Sequence, residues 1–393
     1  MALTADVVVA GGGVIGTAIA WRAALAGLDV VLVDPDAGDA ASGVAAGMLA
    51  PVSEALFGEG ALLALNLLAV QRFPSFAAEL EDVTGHDVGL RREGTLAIAY
   101  DPGDLVALMR LTAFRRSAGL DAEELDSRAC RRLEPFLTPD VHGGVIFAGD
   151  WSVDNRRYAA ALRAAMASAK VRISRGRVTQ ARVAGGRVRG VGLADGTVID
   201  SAAVVVAAGY ASGTVAGLPG ALRSAVRPVK GQLLRLRHPE GIPPVISHTI
   251  RATVRGADVY LVPRADGEVI VGATSEERGP DRTVTAGAVH DLLHDAMSVL
   301  PVTSELILAE TCAGLRPGTV DNGPIVGGCG ADGLLLATGH YRNGILMSPV
   351  TADAVLAALT GQRPAAQWEP FTPQRFSAGQ PADWRSPAGD RAR

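Results

Sequence analysis

The chain has 393 residues, 48% of them hydrophobic and 4% aromatic, with 47 glycines and a formal net charge of −4. That length exceeds what one core usually organises, so two or three domains are expected, in which small residues pack helices onto sheets. The apolar content excludes a disordered chain, and the near-balanced charge offers no basic surface for nucleic acid.

In chain order, the first informative stretch is Asp6–Asp34, "DVVVAGGGVIGTAIAWRAALAGLDVVLVD". Val7–Val9 is a β-branched run, expected to be a buried parallel strand. Gly11, Gly13 and Gly16 follow in GxGxxG spacing, then an alanine-rich helix that stops near Gly27, then a second strand, Val30–Val33, closed by Asp34. Gly11 permits the tight turn, Gly13 lets the backbone approach a pyrophosphate, and Gly16 lets helix and strand pack closely. The unpaired N–H groups and positive dipole end of the helix suit phosphates, and Asp34 can accept hydrogen bonds from an adenosine ribose. Glycines in a turn are common, but strand, turn, helix, strand and terminal acid together specify an adenine dinucleotide. At this point NAD and FAD both remain open.

Ala41–Pro51, "ASGVAAGMLAP", predicts a small-residue loop over which backbone could pass close to a flat ring. "DLVALMRLTAFRRSAG" and "AEELDSRACRRLEP" predict helices. From Arg175 to Gly209, apolar and polar residues alternate through turns at Gly185–Gly186 and Asp195–Gly196, a β-meander feeding the buried strand Ala203–Ala208. Ser201–Leu222 is the longest uncharged stretch; four glycines and Pro219 make it strand plus loop, not a membrane helix. "VKGQLLRLR", "DVYLVPR" and "EVIVGAT" predict further strands. His290 and His294 stand at i and i+4 with no further ligand in view, which fits a solvated helix face and no metal site. Cys130, Cys312 and Cys329 form no CxxC pair, and "MALTADVVVA" has no basic leader region; both suit reduced thiols in a cytoplasmic protein. The tail from Ser377, residues 377–393, is expected to be disordered.

Three later stretches, "YLVPRADGEVIVGATSE" (260–276), "AGLRPGTVDNGPIVG" (313–327) and "GHYRNGILMSP" (339–349), occur in an order and spacing that resemble the glycine oxidases of the D-amino acid oxidase-like superfamily. The resemblance runs over roughly residues 5–365, and its last two motifs are the specific ones. It implies an α/β fold: a Rossmann-like FAD-binding domain of the two-dinucleotide-binding flavoprotein type, plus a substrate domain of α+β character with an antiparallel sheet. The FAD-binding domain is expected to be discontinuous, over 1–85, 145–222 and 308–376, with 86–144 and 223–307 forming the substrate domain.

The same resemblance implies site residues. Arg316 matches the arginine that pairs with the substrate carboxylate, Tyr260 a tyrosine that adds a second contact, Arg342 an arginine beside flavin and substrate, and Met48 part of the small-substrate pocket. A carboxylate taken out of water needs a permanent cation, and arginine's planar fork supplies two parallel hydrogen bonds. For FAD, bound non-covalently, the expected contacts besides Gly11, Gly13, Gly16 and Asp34 are Val14, Ile15, Ser42, Ala45, Ala46, Gly47, Met48, Val178, Ala208 and Gly209. Towards the C-terminus they are Gly339, His340, Arg342, Asn343, Gly344, Ile345 and Leu346. No side chain is assigned as a catalytic base, because a neutral amine can lose hydride to the flavin without one. Ser275 and Asp258 depart from residues found in some relatives and put strict glycine preference in doubt. Cys312 stands near where the related monomeric sarcosine oxidases attach flavin covalently, but its surroundings, "AGLRPGT", follow the glycine oxidases.

The implied activity is FAD-dependent oxidative deamination of glycine, extending to sarcosine or small D-amino acids, with O2 as acceptor and thiamine thiazole synthesis as the destination. The implied partners are a small amino acid and O2, with no nucleic acid or membrane, in a homotetramer. A dehydrogenase of the same fold, passing electrons to a quinone or protein, is the alternative. A flavin protein with a sensory role would leave Arg316, Tyr260 and Arg342 without a task.

Overall fold

The computed structural model describes residues 3–35, 41–241, 243–254 and 256–376. The expected tail at 377–393 lies outside them.

The β-branched N-terminal run forms the strand Leu3–Ala10 at the centre of the first sheet. Its inner half is fully buried, because helices cover one face and a meander the other. Parallel neighbours flank it, Val198–Val206 on one side and Val30–Asp34 on the other, and Leu334–Thr338 and Arg172–Arg175 extend the sheet outward. Val178–Ala184 and Arg187–Leu193 form the expected meander, pairing antiparallel into Val198–Val206. Four helices, Val14–Leu25, Gly60–Thr84, Asn155–Ser168 and Gly344–Leu359, pack together on the other face around Trp21, Phe73, Phe76 and Tyr158. Gly60–Thr84 is long and apolar enough to cross a membrane, but Leu65, Phe73, Phe76 and Leu80 of this helix are buried in that core.

The second sheet is mostly antiparallel, in the order Ile307–Gly318, Arg227–Arg237, Glu268–Gly272, Ala257–Pro263, Thr249–Val254, Thr95–Ala99, Gly143–Phe147 and Glu123–Leu125. Ala286–Val299 packs its Leu292, Ala296 and Val299 on one face of this sheet. On the other face, Leu233, Val262 and Ile270 pack with Val44, Ala46 and Met48 from the segment that follows the first sheet's second strand. The α/β character and the two-sheet division agree with the expected fold. The expected segment edges at 145 and 308 cut into strands of the second sheet, Gly143–Phe147 and Ile307–Gly318.

Two local expectations fail. "AEELDSRACRRLEP" is split: Glu123–Leu125 joins the sheet edge, and the helix starts only at Ser127. Asp126 is the cause, since its carboxylate caps the helix by accepting from the Ala129 N–H at 2.6 Å. The Ala41–Pro51 segment is not wholly loop, because Ala41–Val44 makes one helical turn and Met48–Leu49 pairs with Trp151–Ser152.

Candidate active site

One cavity of about 740 Å³ runs between the two sheets, from the end of the Leu3–Ala10 strand to the face of the second sheet. Its first end is the glycine turn. Gly11 has φ +115, and a Cβ there would lie 2.4 Å from the Ala207 carbonyl oxygen. A Cβ on Gly16 would lie 1.9 Å from the Gly11 carbonyl, so helix and turn touch as the spacing predicted. Gly13, Val14, Ile15 and Asp34 line the cavity beside Gly11, with the N-terminus of Val14–Leu25 opening toward it.

The other end is built by cross-strand register. Residues directly opposite in antiparallel strands share a face. Arg316 stands opposite Val229, Gly314 opposite Gly231, Tyr260 opposite Gly272, and Arg251 opposite Tyr260. Two of these glycines leave room for the large side chains. A Cβ on Gly231 would fall 2.3 Å from the Arg316 Nη2 and 2.4 Å from its Cζ; one on Gly272 would fall 2.3 Å from the Tyr260 hydroxyl. Arg316 and Tyr260 therefore lie flat across the sheet. Arg316 Nη1 donates to the Thr274 carbonyl at 3.0 Å, and its positive charge acts on the Tyr260 phenol beside it.

Glu54 completes this end. Arg251 Nη1 donates to Glu54 Oε1 at 2.7 Å. Burial pushes the Glu54 carboxyl up, but Arg251, Arg342 and Arg316 outweigh it and hold the group below its usual range, as a carboxylate. Burial raises the Tyr260 phenol, which keeps its proton and remains a donor. Arg342 is exposed at the cavity edge, its guanidinium 5.2 Å from the Tyr341 ring centroid. His340 is buried, and burial depresses it to about 3, so the ring is neutral; its Nε2 faces Thr351 Oγ1 at 2.9 Å.

Most expected residues meet around this one space. Ser42, Ala45, Ala46, Gly47 and Met48 form one wall, Val178, Ala208 and Gly209 another, and Tyr260, Arg316, His340, Arg342, Gly344 and Ile345 the far end. Four do not line it. Gly16 packs behind the turn, Gly339 sits at φ +76 against Thr319, Asn343 precedes the helix Gly344–Leu359, and Leu346 is buried in the helical core. Glu54, Arg251, Gly231 and Gly272 were not singled out in the sequence: Gly231 is revealed by the pairing of distant strands, Gly272 and Arg251 by their pairing with Tyr260 in neighbouring hairpins, and Glu54 by its bond to Arg251. His290 and His294 stack at 6.1 Å on an exposed helix face, each beside the aspartate that follows it. Among the described residues no group of three or more His, Cys, Asp or Glu could hold a metal ion.

The FAD dependent oxidoreductase (DAO) family matches residues 6–358. The chain belongs to this family. The bifunctional ThiO/ThiG protein of Synechocystis is 35% identical over 96% of this chain and 55% of its own length. The chain thus spans about half the length of the bifunctional relatives it matches. The glycine oxidase of Geobacillus kaustophilus is 33% identical over 93% of this chain and 96% of its own. The crystal structure of glycine oxidase from that organism superimposes with a TM-score of 0.87, covering 94% of this chain and 98% of the other.

The cofactor of this oxidoreductase is FAD, and the cavity fits it. A helix N-terminus and glycine turn lie at the diphosphate end, and Asp34 closes the adjoining strand. The walls beyond them are made by small residues, Ala45 to Gly47 on one side and Ala208 and Gly209 on the other. Cys312 is half-buried against the cluster of Ala46, Leu233, Val262 and Ile270, and burial raises its thiol, which keeps it protonated.

Proposed function

We propose that this FAD-dependent oxidoreductase is an amino-acid oxidase of the glycine oxidase type, acting on glycine and extending to sarcosine and small D-amino acids. The carrying observation is the pair Arg316 and Tyr260, laid across Gly231 and Gly272 at the far end of the dinucleotide cavity. Arg316 holds the substrate carboxylate through its fork, and Tyr260 donates its phenolic proton to the same group. Glu54, kept anionic, balances Arg251, which leaves the half-buried Arg316 to meet the substrate carboxylate. Met48 narrows the space beside the Cα, which favours a small side chain. FAD bound in the cavity would supply the acceptor for the hydride leaving the substrate Cα and the route for its two electrons to O2, giving H2O2. Hydrolysis of the released imine gives glyoxylate and ammonia. No side chain need act as base if the amine enters neutral, so the protein's part is orientation and exclusion of water.

Further parts of the reading rest on family likeness: a cytoplasmic, homotetrameric enzyme with non-covalent FAD, divided near the stated segments, whose product feeds thiazole synthesis. The test is the flavin absorbance of anaerobic holoenzyme before and after glycine, sarcosine or D-alanine. Bleaching that air reverses, with peroxide formed, supports the oxidase. Bleaching that air does not reverse, but a quinone does, favours the dehydrogenase. Bound flavin that no amino acid bleaches overturns both.

A further inference from the structure

Behind the wall formed by Ser42–Met48 lies a polar group that the clamp does not use. Asn155 is 0% exposed, Arg235 1%, Arg264 3% and Glu268 7%. Arg235 Nη1 pairs with Glu268 Oε2 at 2.5 Å, and its Nη2 reaches Asn155 Oδ1 at 3.2 Å. Arg264 has a different set of partners: Nη1 donates to the Val153 carbonyl at 2.8 Å, and Nη2 to the Ala46 carbonyl at 2.5 Å and Asn155 Oδ1 at 3.2 Å. None of these is a carboxylate, and burial pushes the Arg264 guanidinium down to about 10. A cation held this way is costly, and packing alone would be served as well by an apolar side chain.

The directions of these bonds suggest what the cation does. Asn155 Nδ2 donates to the Ser42 carbonyl at 2.7 Å, Arg264 takes the Ala46 carbonyl, and the Val153 N–H takes the Gly47 carbonyl at 2.8 Å. All three carbonyls are drawn away from the cavity. In a trans peptide the next residue's N–H points opposite to the carbonyl. The amides of Gly47 and Met48 therefore point toward the cavity that both residues line. Ser152, opposite Met48, has its own N–H and carbonyl bonded to Arg91, which leaves the Met48 amide to the cavity side. A Cβ on Gly47 would meet the Val153 carbonyl at 2.0 Å and Arg264 Nη2 at 3.3 Å, so the wall is pressed onto this group.

We infer that Arg264, seated by Asn155, is a positioning residue for the flavin: it turns the Gly47 and Met48 amides to the cofactor and places a buried positive charge behind them. Both effects stabilise negative charge on the ring as it is reduced. The test is Arg264→Met, with Arg264→Lys and Asn155→Ala beside it. The readouts are FAD affinity by flavin fluorescence, the midpoint potential by dithionite titration against a reference dye, and thermal stability; none needs a substrate. Arg264→Met is expected to bind FAD about 10- to 100-fold more weakly and to shift the potential negative, the size expected for losing charge-assisted bonds. Arg264→Lys, which keeps the charge, should retain more of the potential than Arg264→Met. Asn155→Ala should weaken FAD binding with a smaller change in potential. An affinity within about two-fold of the parent enzyme and an unchanged potential in the folded variants, even with a lower melting temperature, would mean a scaffold role only and overturn the inference. If Arg264→Met does not fold, Arg264→Lys and Asn155→Ala decide by the same criterion.

Discussion

Gly231→Ala tests the proposed substrate clamp by displacing Arg316 without replacing it. The added methyl would stand 2.3–2.4 Å from three atoms of the Arg316 guanidinium, where ordinary contact begins at 3.4 Å. The strand cannot yield, because Gly231 pairs with Gly314 in the middle of the longest ladder of the sheet. The guanidinium must therefore lift by about 1 Å, and a displacement of that size costs on the order of 10²-fold in a positioned reaction. That corresponds to roughly 2.7 kcal/mol. The assay is oxygen uptake over a range of glycine concentrations, with flavin content and melting temperature measured on the same preparation. KM is expected to rise by about 10²-fold with flavin content unchanged. The control is the double variant with Arg316→Ala. Once the guanidinium is gone the methyl has nothing to displace, so Gly231→Ala should add almost nothing in that background. A wild-type KM in Gly231→Ala, or an equal cost with and without Arg316, would refute the account of how Arg316 is placed.

Arg316→Ala should raise KM for glycine by about 10- to 100-fold or more, the loss of a desolvated charge-assisted pair, while FAD stays bound in its visible spectrum. Gly272→Ala should act on Tyr260 as Gly231→Ala acts on Arg316, with a smaller rise in KM because a neutral hydroxyl and not a cation is displaced; steady-state kinetics check it. Asp150 gives a pH dependence. Burial raises its carboxyl to about 6, against the N–H bonds from Val52 and Ser53 that lower it. The folded state therefore holds the proton more tightly than the unfolded chain, and this group's contribution to stability is full below about pH 4 and falls as pH rises to about 6. Asp150→Asn removes that fall, so urea unfolding at pH 4 and pH 7 should show the variant gaining roughly 3 kcal/mol relative to wild type at the higher pH. No relative gain would refute the raised carboxyl.

Two kinds of information were needed to find this site, and the sequence carries them unequally. The dinucleotide end is written in consecutive residues: glycines, helix and closing acid all fall within Gly11–Asp34, so spacing alone specified it. The clamp was reached through family motifs, which named Arg316, Tyr260 and Arg342 but not what seats them. Gly231 lies 85 positions before Arg316 and Glu54 lies 197 before Arg251, separations no local pattern spans. The wrongly extended helix at Ala122–Pro135 has the opposite cause: a helical composition was overruled by one capping aspartate and a free sheet edge.

The second sheet then shows why these distant residues had to be arranged together. Along its cavity face Arg316, Tyr260 and Arg251 stand toward one end, and Arg235, Arg264 and Glu268 toward the other. Between them Leu233, Val262 and Ile270 pack against Ala46, Val44 and Met48. The register interleaves polar and apolar groups: Leu233 is opposite Gly272, in line with Tyr260 and Arg251, and Arg235 is opposite Ile270, in line with Val262. No single strand shows this arrangement. The apolar patch of Leu233, Val262 and Ile270 keeps water from the layer between sheet and loop, so Arg264 acts at low dielectric on the loop carbonyl of Ala46. A polar residue at Ile270 or Val262 would admit water to that layer and loosen the packing of Ala46 and Met48, whereas Gly231→Ala disturbs only Arg316. The two classes of variant thus separate the sheet's role in holding the cofactor loop from its role in holding the substrate.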